Sequence, residues 1–319
     1  MPLIDMPVEK LREYQGINPR PADLGEYWER GLKEVNSVDP QIRLERADVA
    51  LKGFEAYHLF FKSTKNATIH AQYVRPRTDE NLPVILLFHG YGGNVGSYLD
   101  KVSWAGQGYA VLAMDCRGQR GLSEDVNPVK GMTQHNLIMR GFDDLDPDNM
   151  YFRNVFLDTV QLVRVAKNLA GIDAGRMYAH GGSQGGALTV ACAALCPDDI
   201  KKAAPIFPFL SDYKRVWEMD LAINAYDDIC DYLRFYAPYL GKQDHVWEKL
   251  GYIDIQHLAG RVKAEVLWLL GLMDNICPPS TQFAAYNKIK SKKEIIIYTN
   301  HGHEGLPDAG DLIATFFNT

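Results

Sequence analysis

The sequence predicts an α/β protein built on a mostly parallel sheet with helices on both faces. Three observations carry that prediction. Short, nearly continuous apolar runs recur along the chain: "PVILLFHG", "YAVLAMDCRG", "MYAHGGSQ", "AAPIFPF", "AEVLWLLGLMD" and "KEIIIYTNHG". Helix-patterned stretches, "RNVFLDTVQLVRVAKNLAG" and "GALTVACAALC", lie between some of them. Strands that are apolar at every position must be covered on both faces, and the intervening helices supply the cover.

The elements follow in order. "PADLGEYWERGLKEV", after Asn18-Pro19, carries apolar residues at helical spacing and reads as an N-terminal helical extension. "ADVALKGFEAYHLFFKS" and "ATIHAQYVRP" alternate in polarity, so they read as antiparallel strands at one edge of the sheet. The continuous apolar strands come next, interrupted twice. Residues 120–150 are loop-rich; residues 211–260 are polar, aromatic and helical in pattern. With no internal repeat or low-complexity tract, residues 1–319 are expected to form a single domain with two insertions. Insertions at the carboxyl ends of parallel strands tend to build substrate pockets or partner surfaces.

Bulk properties narrow the function classes. At 46% hydrophobic and 23% charged residues, the composition is that of an ordinary soluble globular protein. A net charge of −6 with no evident basic face argues against a nucleic-acid partner. The first thirty residues lack a signal-peptide apolar core, and no segment approaches about eighteen uninterrupted apolar residues. A cytoplasmic location without membrane contact is the expectation. The five cysteines (116, 192, 196, 230 and 277) include no Cys-x-x-Cys pair and read as buried free thiols.

Chemistry centres on "MYAHGGSQGGALTVACAAL". An apolar strand, then Gly181-x-Ser183-x-Gly185, then a small-residue helix is the pattern of a nucleophile elbow. Its turn is so sharp that the positions flanking the serine at two residues' distance must lack side chains. The helix that follows aims its N–H groups at developing negative charge. A serine hydroxyl needs a base to take its proton and an acid to orient that base. In α/β-hydrolases these follow in the order Ser, Asp or Glu, His. His303, in "YTNHGHEGLP" after the last strand and next to Glu304, is the expected base, with His301 the spare. Asp274, in "LLGLMDNICPP", ends a strand and is the expected acid. Asp212, Asp220, Asp227, Asp228 and Asp231 lie in the second insertion and are expected to be solvated. Backbone N–H groups of Gln184 and of Tyr91, in "FHGYGGN", are the candidate oxyanion donors. His301, His303 and Glu304 could alternatively ligate a metal, but no further His, Asp or Cys cluster supports that.

Three motifs now stand together: "RGQ" (Arg117, Gly118, Gln119), "GGSQGG" (181–186) and "HE" (303–304). With "LFHGYGG", "GMTQHNLIMRGFDD", "YFRNVFLDTVQLV", "FPFLSDYKR" and "EYWERGLKEV", they resemble the acetyl xylan esterase and cephalosporin C deacetylase family, carbohydrate esterase family 7. The resemblance spans nearly the whole chain. It implies an α/β-hydrolase fold, the Ser183–Asp274–His303 triad, and the Tyr91 and Gln184 oxyanion hole. It further implies deacetylation of short oligosaccharides and cephalosporin-type esters without a cofactor or metal. The partners it implies are a small acetylated substrate and copies of the chain itself, in a cytoplasmic homohexamer whose sites face an inner cavity. Arg117 and Gln119 are expected to fasten neighbouring loops rather than to touch substrate. One departure is visible: Arg120 intervenes between "RGQ" and Gly121, where the family usually has a glycine. The rival readings are the same machinery acting on peptides or longer acyl esters, a binding protein with a silent triad, and a metal-dependent deacetylase.

Overall fold

The computed structural model describes residues 4–134 and 136–319. One nine-stranded sheet organises them: β1 (Arg43–Arg46), β2 (Phe54–Lys62), β3 (Thr68–Pro76), β4 (Leu82–Phe88), β5 (Ala110–Met114), β6 (Ile172–Gly182), β7 (Ile200–Ile206), β8 (Glu265–Gly271) and β9 (Lys293–Tyr298). Their spatial order is β1-β2-β3-β5-β4-β6-β7-β8-β9. The pairings β1–β2, β2–β3 and β3–β5 are antiparallel, and every pairing from β5 through β9 is parallel. The expected antiparallel edge and parallel body are both present. The short outermost strand, "RLER", was not expected; it is exposed at every position and has no apolar pattern to reveal it.

Side-chain alternation across the sheet explains why the strands are apolar throughout. Val84, Leu86 and Phe88 of β4 bury into one core, whereas Ile85 buries into the other. In β8, Val266, Trp268 and Leu270 face the first core, and Leu267 and Leu269 the second. Helix Gln184–Leu195 is buried at all twelve positions, as its uniformly small and apolar composition requires. The opposite core is closed by Ile313 and Phe317 of the last helix, Ala309–Asn318.

Helix Tyr151–Asn168 covers the first core and receives the N-terminal helix Leu24–Ser37. Trp28 stacks on Phe156 with ring centroids 5.8 Å apart. Arg164 Nη1 donates to the carbonyls of Val35 (2.6 Å) and Val38 (3.1 Å), satisfying the end of that helix.

Residues 120–150 are irregular apart from the turn of helix Pro147–Asn149; His135 lies outside the described residues. Residues 211–260 join β7 to β8 and carry helices Tyr213–Glu218, Asp227–Tyr236, Asp244–Leu250 and Ile255–Leu258. Among the described residues, no helix is long and apolar enough to cross a membrane.

Candidate functional site

The site forms where the chain reverses its direction of travel across the sheet. From β4 it passes to β5 on one side and then crosses to β6 on the other, leaving a crevice at their carboxyl ends. Ser183 stands there between β6 and helix Gln184–Leu195, at φ 57° and ψ −119°. That conformation is costly for a residue with a side chain and persists only where the surroundings enforce it. The glycines on either side explain how the turn fits. A Cβ on Gly185 would lie 2.0 Å from the Phe88 carbonyl oxygen, and one on Gly181 2.5 Å from the same atom. Ser183 N–H donates to the Ile206 carbonyl (2.9 Å), tying the turn to β7.

The three expected residues meet here. Ser183 Oγ–H donates to His303 Nε2 at 3.0 Å, and His303 Nδ1–H donates to Asp274 Oδ2 at 2.8 Å. Asp274 is fully buried, and its other oxygen accepts from the N–H groups of Ile276 (2.9 Å) and Cys277 (2.8 Å). Two backbone donors therefore hold the carboxylate in place while its second oxygen fixes the imidazole tautomer. His303 sits on the segment after β9, and Glu304 steadies it by accepting from Gly302 N–H at 3.0 Å. Phe207 lies against the imidazole, ring centroids 4.5 Å apart. His301 is drawn elsewhere: its carbonyl accepts from Met273 N–H (3.0 Å) and its ring packs against Tyr298.

Around the crevice the "RGQ" residues act through the loops. Gln119 Oε1 accepts from Gly92 N–H (2.9 Å), and its amide donates to Gln184 Oε1 (2.8 Å) and Tyr151 Oη (3.1 Å). One side chain thus joins the loop after β4 to the first residue of the helix after Ser183. Tyr91 is anchored by its own side chain, which accepts from Leu137 N–H at 2.6 Å and packs on Phe152 and Phe209. Gln184, as first residue of its helix, has an N–H without an intrahelical acceptor. Arg117 is fully buried, and its guanidinium grips Asp158 through Nε (2.5 Å) and Nη2 (2.7 Å). Nη2 also donates to Thr64 Oγ1 at 2.8 Å. Gly118 adopts φ 56°, the turn between these two anchoring side chains.

Arg120 is exposed, and only its backbone enters the network: its N–H donates to the Gly93 carbonyl at 3.3 Å. The glycine that follows is under the tighter constraint. A Cβ on Gly121 would fall 2.0 Å from the Asp115 carboxyl carbon.

Two expectations need correction. Asp212 and Asp228 are fully buried, not solvated. Asp212 Oδ1 accepts from the N–H groups of Ile17 (3.0 Å) and Asn18 (2.7 Å) and Oδ2 from Tyr14 Oη–H (2.7 Å), so it pins the N-terminal segment to the insertion. Asp228 accepts from Met139 N–H at 2.9 Å, and burial pushes its carboxyl up to about 7. The second correction concerns the thiols: Cys116, Cys192, Cys196 and Cys277 are buried, but Cys230 is exposed.

The sequence reading missed a second imidazole–carboxylate chain. His70 Nδ1–H donates to Asp115 Oδ2 (2.6 Å), and His58 Nδ1–H donates to His70 Nε2 (3.0 Å). Asp115 also accepts from the N–H groups of Val95 (2.8 Å) and Leu122 (3.0 Å), clamping the loops after β4 and β5. Alternating position on β2 and β3 was the only sequence signal for the two histidines.

A serine on a strained strand-to-helix turn, hydrogen-bonded to a carboxylate-backed imidazole above a mostly parallel sheet, defines the class as an α/β-hydrolase of the serine type. The particular family follows from comparison. The sequence profile of the acetyl xylan esterase (AXE1) family matches residues 1–318, and the chain belongs to that family, whose members are serine carboxylesterases. Acetyl xylan esterase 1 from Thermoanaerobacterium sp. JW/SL YS485 is 49% identical, with 98% of each chain covered and a TM-score of 0.96. The acetyl xylan esterase of Paenibacillus sp. R4 is 33% identical over 98% of this chain and 99% of its own, with a TM-score of 0.93. Acetyl esterase Axe7A of Xylanibacter ruminicola is 24% identical over 302 residues; the match covers 92% of this chain but 65% of that longer protein. An acylaminoacyl peptidase of Pyrococcus horikoshii, 21% identical with a TM-score of 0.59, shares the fold.

Proposed function

We propose that this protein removes acetyl groups from small substrates: acetylated xylo-oligosaccharides and other sugars, and cephalosporin C-type acetyl esters. The observation that carries the reading is the continuous chain from Ser183 Oγ through His303 to Asp274, at 3.0 and 2.8 Å. His303 takes the proton as Ser183 attacks the ester carbonyl. Asp274, unable to leave its two backbone donors, stabilises the imidazolium that forms. The N–H groups of Tyr91 and Gln184 receive the oxyanion. The alkoxide leaves with the proton from His303, and water, deprotonated by the same imidazole, then releases acetate from the serine. Arg117, Gly118, Gln119, Gly181, Gly185 and Glu304 hold these parts in place, and no cofactor or metal is required. We read residues 1–319 as one catalytic domain, cytoplasmic and assembled as a homohexamer.

Support for the acetyl preference comes from the family, whose two well-covered solved relatives carry the name acetyl xylan esterase. The test is hydrolysis of p-nitrophenyl esters of graded chain length and of acetylated xylo-oligosaccharides. Activity should fall sharply beyond acetyl or propionyl; equal turnover of octanoyl esters would instead favour the lipase- or peptidase-like alternative. Ser183→Ala should lower turnover by about 10⁴-fold or more with the fold retained.

A further inference from the structure

One group beside the Asp274–His303 pair has no part in the acyl-transfer chemistry. Cys277 is fully buried and follows Asp274 by three residues. One ligand atom from each of Asp274, Cys277 and His303 lies within 4.8 Å of the other two. Among the described residues this is the one cluster of three His, Cys, Asp or Glu side chains so gathered. A carboxylate, an imidazole and a thiolate are a donor set that suits a borderline-soft divalent ion and not Mg²⁺ or Ca²⁺.

The geometry points to an inhibitory site for thiophilic divalent cations, Zn²⁺ and its congener Cd²⁺, formed by Asp274, Cys277 and His303. The inference rests on the esterase reading of the same residues, since it concerns how that site is switched off. Tetrahedral zinc with bonds of about 2.0–2.3 Å wants its ligands about 3.5 Å apart, so Asp274 Oδ2 and His303 Nδ1, now 2.8 Å apart, must open slightly, and no ligand pair need close by more than about 1.3 Å. His303 can supply that movement. It lies on the irregular segment between β9 and the last helix, and it is the one member of the three that is not fully buried, its side chain 20% accessible. Asp274 and Cys277 are held on one short turn by the hydrogen bond between them. The ion sits where His303 Nδ1–H now donates to Asp274 Oδ2: the thiol proton leaves to solvent, and the imidazole proton moves from Nδ1 to Nε2. Turnover stops because Nε2, which faces Ser183 Oγ, then carries a proton and cannot accept another.

Two readouts on the intact protein test this. Cd²⁺ titration should raise a near-ultraviolet thiolate-to-metal charge-transfer band that Cys277→Ala abolishes, the remaining four cysteines staying in place. Zn²⁺ should inhibit p-nitrophenyl acetate hydrolysis, reversibly with chelator. The concentration for half-inhibition should rise at least about tenfold in Cys277→Ala, each variant being compared with its own metal-free rate. If that variant fails to fold, Cys277→Ser and His303→Asn serve, and both should weaken Cd²⁺ binding. A band unchanged by the Cys277 substitutions, no band at all, or equal zinc sensitivity of wild type and variant would overturn the site. The spectroscopic arm is independent of catalysis: a band in a protein without acetylesterase activity refutes the function and keeps the site, whereas activity without a band does the reverse.

Discussion

Gly185 shows how much of the site depends on one missing atom. Its Cβ would need to occupy space 2.0 Å from the Phe88 carbonyl oxygen, which is backbone and cannot swing aside. Gly185→Ala must therefore push the helix start away from β4, and with it the Gln184 N–H. If that N–H is the oxyanion donor proposed above, turnover of p-nitrophenyl acetate falls by about a hundredfold or more, the usual cost of losing one such donor. Wild-type rates in that variant would refute the tight-turn argument. Asp228 makes a different residue-scale prediction. Its carboxyl is raised from 3.8 to about 7 because burial disfavours the charge. The folded state thus holds that proton more firmly than the unfolded chain. Stability from this group is greatest below pH 3.8, declines as pH rises towards about 7, and is flat above. The slope is at most about 1.4 kcal/mol per pH unit. Asp228→Asn should gain on wild type by a few kcal/mol, as an order of magnitude, between pH 4 and 8 in urea denaturation. Parallel pH profiles for the two proteins would contradict it.

Between elements, a buried ion pair and a buried imidazole–carboxylate chain hold the loops that carry the site. Arg117 and Asp158 are both inaccessible, so removing either leaves a charge without its partner. Arg117→Ala is expected to cost about 3–5 kcal/mol in chemical denaturation, the usual penalty for half of a buried pair. Asp115 gathers His70 and the N–H groups of Val95 and Leu122. Asp115→Ala should both lower the melting temperature and reduce kcat, because Val95 lies on the loop that presents Tyr91. A variant with normal kcat and reduced stability would show that the clamp does not position Tyr91. Gln119 differs from both. It is only partly buried and uncharged, so Gln119→Ala should change kcat more than stability.

At the scale of the whole molecule, the second insertion presents apolar side chains that the chain itself leaves uncovered. Phe235, Tyr239 and Leu240 are 70%, 67% and 94% accessible. If the insertion serves the proposed assembly, light scattering should return a multiple of the 35.9 kDa chain mass. Phe235→Ser with Leu240→Ser should reduce that multiple. A monomer in dilute buffer would remove the oligomer from the proposal and leave the esterase reading intact.

Legibility in the sequence followed the range of the physics involved. Apolar runs, helical periodicity and the glycines around Ser183 are local constraints, and from them came the sheet, the elbow and the order of Ser183, Asp274 and His303. Side chains whose environment is made by distant segments were misjudged or missed. Asp212 and Asp228 looked solvated because their neighbours in sequence are polar, yet Tyr14, Asn18 and Met139 fold over them. Asp158, which no sequence signal singled out, is paired by Arg117 from the loop after β5. Whether His301 or His303 meets Ser183 was likewise a tertiary decision, made by the hydrogen bond that ties the His301 carbonyl to Met273 and by the position of Asp274. Composition and spacing determined which residues could form a hydrolase. The convergence of segments from 29 to 198 residues apart decided which of them touch, because burial and charge pairing are set by neighbours in space.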